Sequence, residues 1–432
     1  MAITVSAERV KVGIGKRTLT LGLGVGVLSA SSAVAAIKIP GYEAEVKTQI
    51  EFRQDVYNRD TIPFDNYLKL DLRDLKGNSE LHFYGKLWKD LGYGTDWDID
   101  LYQLYLEVPL KKDRSSLLTV GRQFLSEGFE TFVADAVRYS HKVNKEFKYV
   151  FYIGKPRSFE PKVRTGDDFL AGFKFEYKNY FFGFEHLRDD GKVKKSSFAV
   201  GNYSYLRKDL AQYSRLELDS AHGELVDAVL GYYYFPKGKL RLNGEVEYYN
   251  GSYTYDGGKV ENPIFYSFSP LGRELRLTQS AYYQIDKNWQ AYGSYTFTDL
   301  QTPGKDNGHL AKVGLIKDNW FSQGLRVFGA LLYQNSWIGI LKGLEVGFTK
   351  YINEKFSLIG RADIGRYNKI TYGKQWATAY YLLGTYQTSE FSNFQLGIDF
   401  RQNEDFDHDL RVIMRYNLLF WGGKEKREEA EK

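Results

Sequence analysis

The sequence predicts an all-β fold: a single large antiparallel β-barrel that crosses a membrane, with about 22 strands in a range of roughly 18 to 22 and no plug domain. Three observations carry that expectation. Apolar and polar side chains alternate with period two over segments of about ten residues. No stretch after residue 36 gathers the ~18 to 20 consecutive apolar residues a spanning helix needs, although Tyr 35, Phe 29 and Trp 7 make the chain 16% aromatic at a mean hydropathy of −0.45. The chain also opens on a segment patterned for export. Only helices and closed barrels satisfy every backbone group in lipid, so a membrane chain of this kind must span as strands.

Residues 1–35 read as a signal peptide. A basic region runs to Arg17, an apolar stretch covers Leu19 to Leu28, and small residues follow from Ser29 to Ala36, with Ala33-Val34-Ala35 fitting the cleavage pattern. The apolar stretch is too short to anchor in a bilayer. The mature chain is therefore expected to begin near Ala36 and to reside in the bacterial outer membrane. Arg9, Lys11, Lys16 and Arg17 against Glu8 account for three units of the formal charge of +5, which leaves about +2 for the mature chain. That balance gives no case for nucleic acid. Cys 0 excludes disulfides, thiolate metal sites, iron–sulfur clusters and a cysteine nucleophile.

From residue 36 to 421 the pattern is that of strands. Ala44, Val46, Thr48, Ile50, Phe52 and Val56 fall on one face, and Glu43, Glu45, Lys47, Gln49, Glu51, Arg53 and Asp55 on the other. A helix would scramble these sets. Leu240 to Tyr249, Trp289 to Thr298 and Asp409 to Phe420 repeat the pattern. The closing strand is expected over 409–421, and the charged residues 422–432 as a solvated periplasmic tail. A soluble propeller would also repeat short strands, but no repeat of about 40 to 50 residues is present.

Connections support the barrel. Short turns are expected at Lys76-Gly77-Asn78, Asn144-Lys145, Lys178-Asn179, Pro236-Lys237-Gly238, Asp286-Lys287-Asn288 and Asn353-Glu354-Lys355. Longer polar loops are expected near 125–134, 155–168, 188–196, 250–272, 300–308 and 366–375. An even strand number puts both termini in the periplasm.

One stretch also resembles a known family. Leu118-Thr119-Val120-Gly121-Arg122-Gln123, followed by Asp135-Ala136-Val137-Arg138-Tyr139, is similar to the Gly-Arg-Gln strand and the following Asp-Gly-x-Arg strand of porin-like and alginate-export-like outer-membrane proteins. Ala136 stands where that pattern usually has Gly. The resemblance implies a pore-forming barrel. Alternation puts Arg138 with Ala136 and Ser140 on the lumen face, but groups Arg122 with Leu118 and Val120, so Arg122 lies at the polar rim or is re-aimed by a bulge.

No enzyme is expected. His82, His141, His186, His222, His309 and His408 are scattered singly, without a metal-binding pair or a nucleophile elbow. Two acidic clusters, Asp96-Asp98-Asp100 and Glu404-Asp405-Asp407-Asp409, offer oxygen ligands for calcium or a divalent bridge to lipopolysaccharide, but lack the calcium-loop spacing, and solvated loops are the plainer expectation. No cofactor is expected.

The expected function is passive diffusion of small polar solutes. The first strand begins too close to the cleavage point to leave room for a plug, and the alternatives are a polysaccharide exporter and a non-conducting structural barrel. Lumen-facing candidates are Lys69, Asp71 and Arg73, Arg361 and Asp363, and Asp399 and Arg401, a mixed set that selects weakly by sign. The stretch 155–168 is expected to fold into the lumen, where Pro156 and Pro161 oppose strand continuation and Lys155, Arg157, Lys162 and Arg164, with Arg138, give a slight anion preference. Expected partners are outer-membrane lipid and lipopolysaccharide, the barrel-assembly machinery, small polar solutes and, in a homo-oligomer, further copies of the chain.

Overall fold

A computed structural model of the 432-residue chain describes residues 11–14, 17–20, 41–54, 60–129, 131–157, 168–236, 238–250, 273–300, 307–336, 339–369, 373–402 and 409–423. Lys11–Ile14 and Arg17–Thr20 pair as a separate two-stranded sheet within the segment expected to be the signal peptide.

The remaining strands close into one antiparallel barrel of 22. The first eight are β1 (Gly41–Gln54), β2 (Pro63–Leu75), β3 (Ser79–Asp90), β4 (Asp98–Pro109), β5 (Ser116–Leu125), β6 (Phe132–Lys142), β7 (Phe147–Arg157) and β8 (Phe169–Tyr177). Then come β9 (Tyr180–Asp189), β10 (Lys192–Arg207), β11 (Leu210–Asp219), β12 (Glu224–Tyr234), β13 (Leu240–Asn250), β14 (Arg273–Gln284) and β15 (Trp289–Leu300). The circuit ends with β16 (Gly308–Lys317), β17 (Leu325–Ser336), β18 (Gly339–Tyr351), β19 (Phe356–Lys369), β20 (Gly373–Ser389), β21 (Ser392–Gln402) and β22 (Asp409–Gly423). Each strand pairs with its neighbour in sequence, and β22 closes on β1 from Arg411 opposite Arg53 to Gly423 opposite Gly41. A two-residue strand, Asp60–Thr61, extends the ladder at the end of β1.

Alternation decides which face of each strand meets lipid. Leu104, Val120, Phe151, Ile153, Val200, Leu230, Val313, Leu331, Leu344, Leu382 and Ile398 stand exposed on the outer face, while their sequence neighbours point inward. In water an apolar belt this continuous would drive association; in hydrocarbon it is the solvent match that holds the barrel in place. Aromatics border the belt, with Tyr177, Tyr180, Tyr283 and Tyr386 toward the end that holds both termini and Trp97, Tyr333 and Trp376 toward the other.

The turns at the terminal end follow from their residues. The side-chain oxygens of Asn144, Asp286 and Asn353 each accept amides two and three residues further on, at 2.7 to 2.9 Å. Gly77 and Asn78 supply the left-handed turn, with φ of 76° and 60°.

Several boundaries differ from the expectation. The loop at 188–196 is a tight Asp190-Gly191 turn, and the strands flanking 366–375 run on to Lys369 and resume at Gly373. Strand polarity there marks the rim of the lipid belt rather than loss of pairing, because backbone ladders continue in water. The closing strand is two residues longer than expected, since Gly422 and Gly423 pair with Tyr42 and Gly41. Residues 424–432 of the expected tail lie outside the described residues.

Candidate functional site in the barrel lumen

With strands ~4.8 Å apart and tilted by about 40°, a barrel of 22 strands measures roughly 40 Å across between backbones. So wide a cylinder must be partly filled or it is an open hole. Two stretches of its inner wall are unlike.

Along β5 to β9 one cluster of inward side chains is apolar and covered. Leu125, Phe132, Ala134, Ala136, Val150, Tyr152, Leu170 and Leu187 form one buried cluster, and Val150, Leu170 and Leu187 are 0% exposed. These residues alternate with the lipid-facing ones, so their cover comes from within the lumen. The connection after β5 supplies part of it. Ser126 and Thr131 close the base of this loop by a 3.0 Å hydroxyl bond, and Gly128 turns it with φ of 95°. Phe129 then lies against the inward face of Gly183, where a Cβ would come within 3.0 Å of its ring. Gly128 packs on Phe181, 2.8 Å from where its own Cβ would be. Glu127 meets Arg138 at 2.7 Å and approaches Lys174 at 4.0 Å. Apolar contact and ion pair together pin the loop inside the barrel.

Beside it lies a buried ionic group. Lys195 is 1% exposed and reaches Glu217 at 3.1 Å and Glu185 at 3.2 Å, while Tyr152 donates its hydroxyl to Glu185 at 2.8 Å. Charges so enclosed persist only when each is matched.

The wall from β19 round to β3 is different. Lys69, Asp71, Arg73, Arg361, Asp363, Asp399 and Arg401 all point inward, as alternation predicts, and Lys69 and Arg361 keep 49% of their side chains accessible. They form ion pairs: Arg73 with Glu43 at 3.0 Å, Arg361 with Asp363 at 2.9 Å, Arg401 with Asp399 at 2.7 Å, and Lys69 with Asp71 at 3.6 Å. Arg415 is the exception. Its guanidinium donates to the amide oxygens of Gln49 and Gln395 at 2.9 to 3.1 Å, with Lys47 two residues from Gln49 on the same face. Sequence reading overlooked Arg415, whose alternation with Arg411 and Asn417 was visible but whose lack of an acidic partner among the described residues was not.

Of the expected constriction, residues 158–167 lie outside the described residues, and the structure places Lys155, Arg157 and Arg138. Lys155 and Arg157 belong to strand β7, which runs through Pro156 because the ladder to β8 has already ended at Gly154 and a missing donor costs least in a one-sided stretch. Both share a face with exposed Phe151 and Ile153, so they point outward, not into the lumen. Arg122 is outward too. It and Arg157 grip Asp135 at 2.7 and 2.6 Å at the rim. Lys162 and Arg164 lie outside the described residues. Arg138 does face the lumen, where it holds the inward loop.

The familiar motif has a local reason. A Cβ on Gly121, at φ of 125°, would stand 2.3 Å from the Leu104 carbonyl, and Gln123 points inward to donate to the Ala136 carbonyl at 3.1 Å. Ala136 is accommodated because Gly154 lies opposite it. Among the histidines, His82 bonds Asp71 at 2.7 Å, His186 bonds Ser196 at 2.7 Å and His309 bonds Tyr295 at 2.8 Å, each a local partner rather than a shared centre. Asp98 and Asp100 point inward on β4, and no group of three metal-ligating side chains converges among the described residues. Glu404, Asp405, Asp407 and His408 fall outside them.

Comparison with known proteins bears on the architecture. No protein-family model matches the chain, and no curated protein matches its sequence. Among solved structures, the siderophore receptor PirA of Pseudomonas aeruginosa is similar at a TM-score of 0.51 and 11% identity, over 88% of this chain and 80% of that one. The fold is that of a large outer-membrane β-barrel. The E. coli P pilus tip assembly intermediate PapC-PapD-PapK-PapG is similar at 0.51 and 10% identity, over 88% of this chain and 61% of that one. OccAB4 of Acinetobacter baumannii shows a looser likeness, 0.43 at 9% identity over 88% and 98%.

Proposed function

We propose that the chain is an outer-membrane channel for passive diffusion of small polar solutes, weakly selective and with a slight anion preference at low salt. The observation that carries this reading is the contrast between a packed and an accessible, ionic stretch of the lumen wall; we take the ionic stretch as the solute path. Paired charges along that path give little net field. The cationic spot of Lys47 and Arg415 replaces the outward-facing Lys155 and Arg157 as the source of anion preference, and mobile salt screens it over about 8 Å at physiological strength. Both termini and the short Asx turns belong on the periplasmic side in this reading, and the reading assigns the chain no catalysis and no cofactor. Planar-bilayer conductance with a salt-gradient reversal potential tests it. A conducting channel whose anion preference fades on Arg415→Gln is expected; a barrel that carries no current would make it a structural protein.

A second reading, export of a polysaccharide, is favoured by an aromatic ledge at the terminal end of the lumen. Tyr203, Tyr205, Tyr213 and Tyr233 share the inward face of β10 to β12, and Tyr205 is 68% exposed. Exposed rings in a wet lumen suit stacking on sugar faces. Block of the current by an acidic oligosaccharide added from the terminal side alone, lost on Tyr205→Ala, would favour this reading over simple diffusion.

A further inference from the structure

The lipid-facing surface carries a feature that the channel reading does not use. Lys342 of β18 and Arg366 of β19 are directly opposed across the ladder, and both are exposed. They continue the outward rows that hold Leu344 and Val346 on one strand and Ile364 and Ala362 on the other, so they face the membrane and not the lumen. The Arg366 guanidinium lies 6.0 Å from the ring centre of Trp376 on β20, which is itself 62% exposed.

Two like charges opposed in this way have Cβ atoms about 4.5 to 5.5 Å apart and repel each other. Among the described residues no acid relieves them. The acids of β17 to β21 are Glu345, Asp363 and Asp399, and all three point into the lumen. The connections at 337–338 and 370–372 contain no Asp or Glu. Three other outward cations differ: Arg122 and Arg157 share Asp135, and Lys350, at the terminal end of the same face of β18, donates to Ser322 and the Gln323 carbonyl. The pair lies one outward residue in from the strand ends, below Ile340 and Asn368, which is roughly 7 Å along the strand. That depth is the boundary between headgroups and acyl chains, where an exposed Trp also settles.

A phosphate ester answers each of these features. It brings enough negative charge to neutralise both cations, its oxygens match the guanidinium fork, and a lipid delivers it at this depth in the membrane. We propose that Lys342, Arg366 and Trp376 form a binding site for the phosphorylated headgroup of an outer-leaflet lipid. The proposal rests on the orientation given above, with the termini periplasmic, and not on conduction.

Native mass spectrometry of the purified full barrel tests it, with diphosphoryl lipid A, its dephosphorylated form and inorganic pyrophosphate as probes. Lys342→Gln with Arg366→Gln should weaken lipid A binding by at least about tenfold, a factor that corresponds to roughly 1.4 kcal/mol. Lys350→Gln should leave binding unchanged, and Lys342→Arg with Arg366→Lys, which keeps both charges and guards against a folding artefact, should retain it. Wild-type protein should bind the dephosphorylated lipid no better than the glutamine variant does. Equal retention of lipid A by wild type and glutamine variant would overturn the proposal, and pyrophosphate held as tightly as lipid A would show a site for soluble phosphate instead. Orientation is read separately by labelling Asn368→Cys on intact cells with an impermeant maleimide, a clean probe because the chain has Cys 0. A protected thiol would refute the outer-leaflet assignment and the orientation it rests on, while leaving conduction untouched.

Discussion

Releasing the inward loop should change both the size and the sign preference of the pore. Phe129 is 4% exposed, and truncating a Phe buried to that degree typically costs about 3 to 5 kcal/mol. Glu127 adds a charge-assisted bond to Arg138 at 2.7 Å, of the class that contributes about 1.5 to 3 kcal/mol. The two contacts lie two residues apart and share one loop, so their effects will not simply add. Taking the lower Phe value alone, about 3 kcal/mol, Phe129→Ala shifts the docked-to-undocked ratio of the loop roughly a hundredfold. The double variant Phe129→Ala with Glu127→Gln also leaves Arg138 and Lys174 without the acid they share. Single-channel recording should then show a larger conductance with more flicker, and the reversal potential in a salt gradient should move toward anions. Glu127→Gln alone should move the potential with little change in conductance. If the double variant inserts as a folded, heat-modifiable barrel and conducts like the wild type with an unshifted potential, the loop does not bound the solute path.

Three further outcomes follow from the faces of the strands. Leu331 points to lipid and Leu332 to the lumen, so Leu331→Arg should lower the free energy of folding into lipid vesicles by about 2 to 4 kcal/mol and Leu332→Arg by much less, as read from denaturant titration. Lys195→Met leaves Glu185 and Glu217 enclosed without their cation and should cost about 3 to 5 kcal/mol in the same titration, much of it recovered when both acids are also changed to Gln; a neutral single variant would mean that water reaches the group. Truncation after Gly423 should leave assembly intact and truncation before Leu418 should abolish it, because the seam pairs Leu418 with Val46 and continues to Gly423 opposite Gly41; equal yields of folded barrel from both would misplace the closing strand.

By itself the sequence determined the class of fold, put the strands at about 22 within a range of 18 to 22, and gave most strands the side that meets lipid. These are local properties: period-two patterning needs only the strand's own residues, and the Asx turns at Asn144, Asp286 and Asn353 are built from side chains within three positions. The same rule turns Lys69, Asp71, Arg73 and Arg138 inward, the side on which the strand register places them. It failed for Lys155 and Arg157 because Pro156 suggested a strand end, whereas the ladder that a proline would break had already lost its partner strand. Only the tertiary structure decided what the inward residues meet. Phe129 reaches Gly183 across more than fifty positions, Lys195 sits between acids of two neighbouring strands, and Lys342 and Arg366 become a pair only through register. Alternation assigns a side to each residue, but closure of the barrel fixes the distances between strands, and charge pairing, packing and the path of the lumen all depend on those distances.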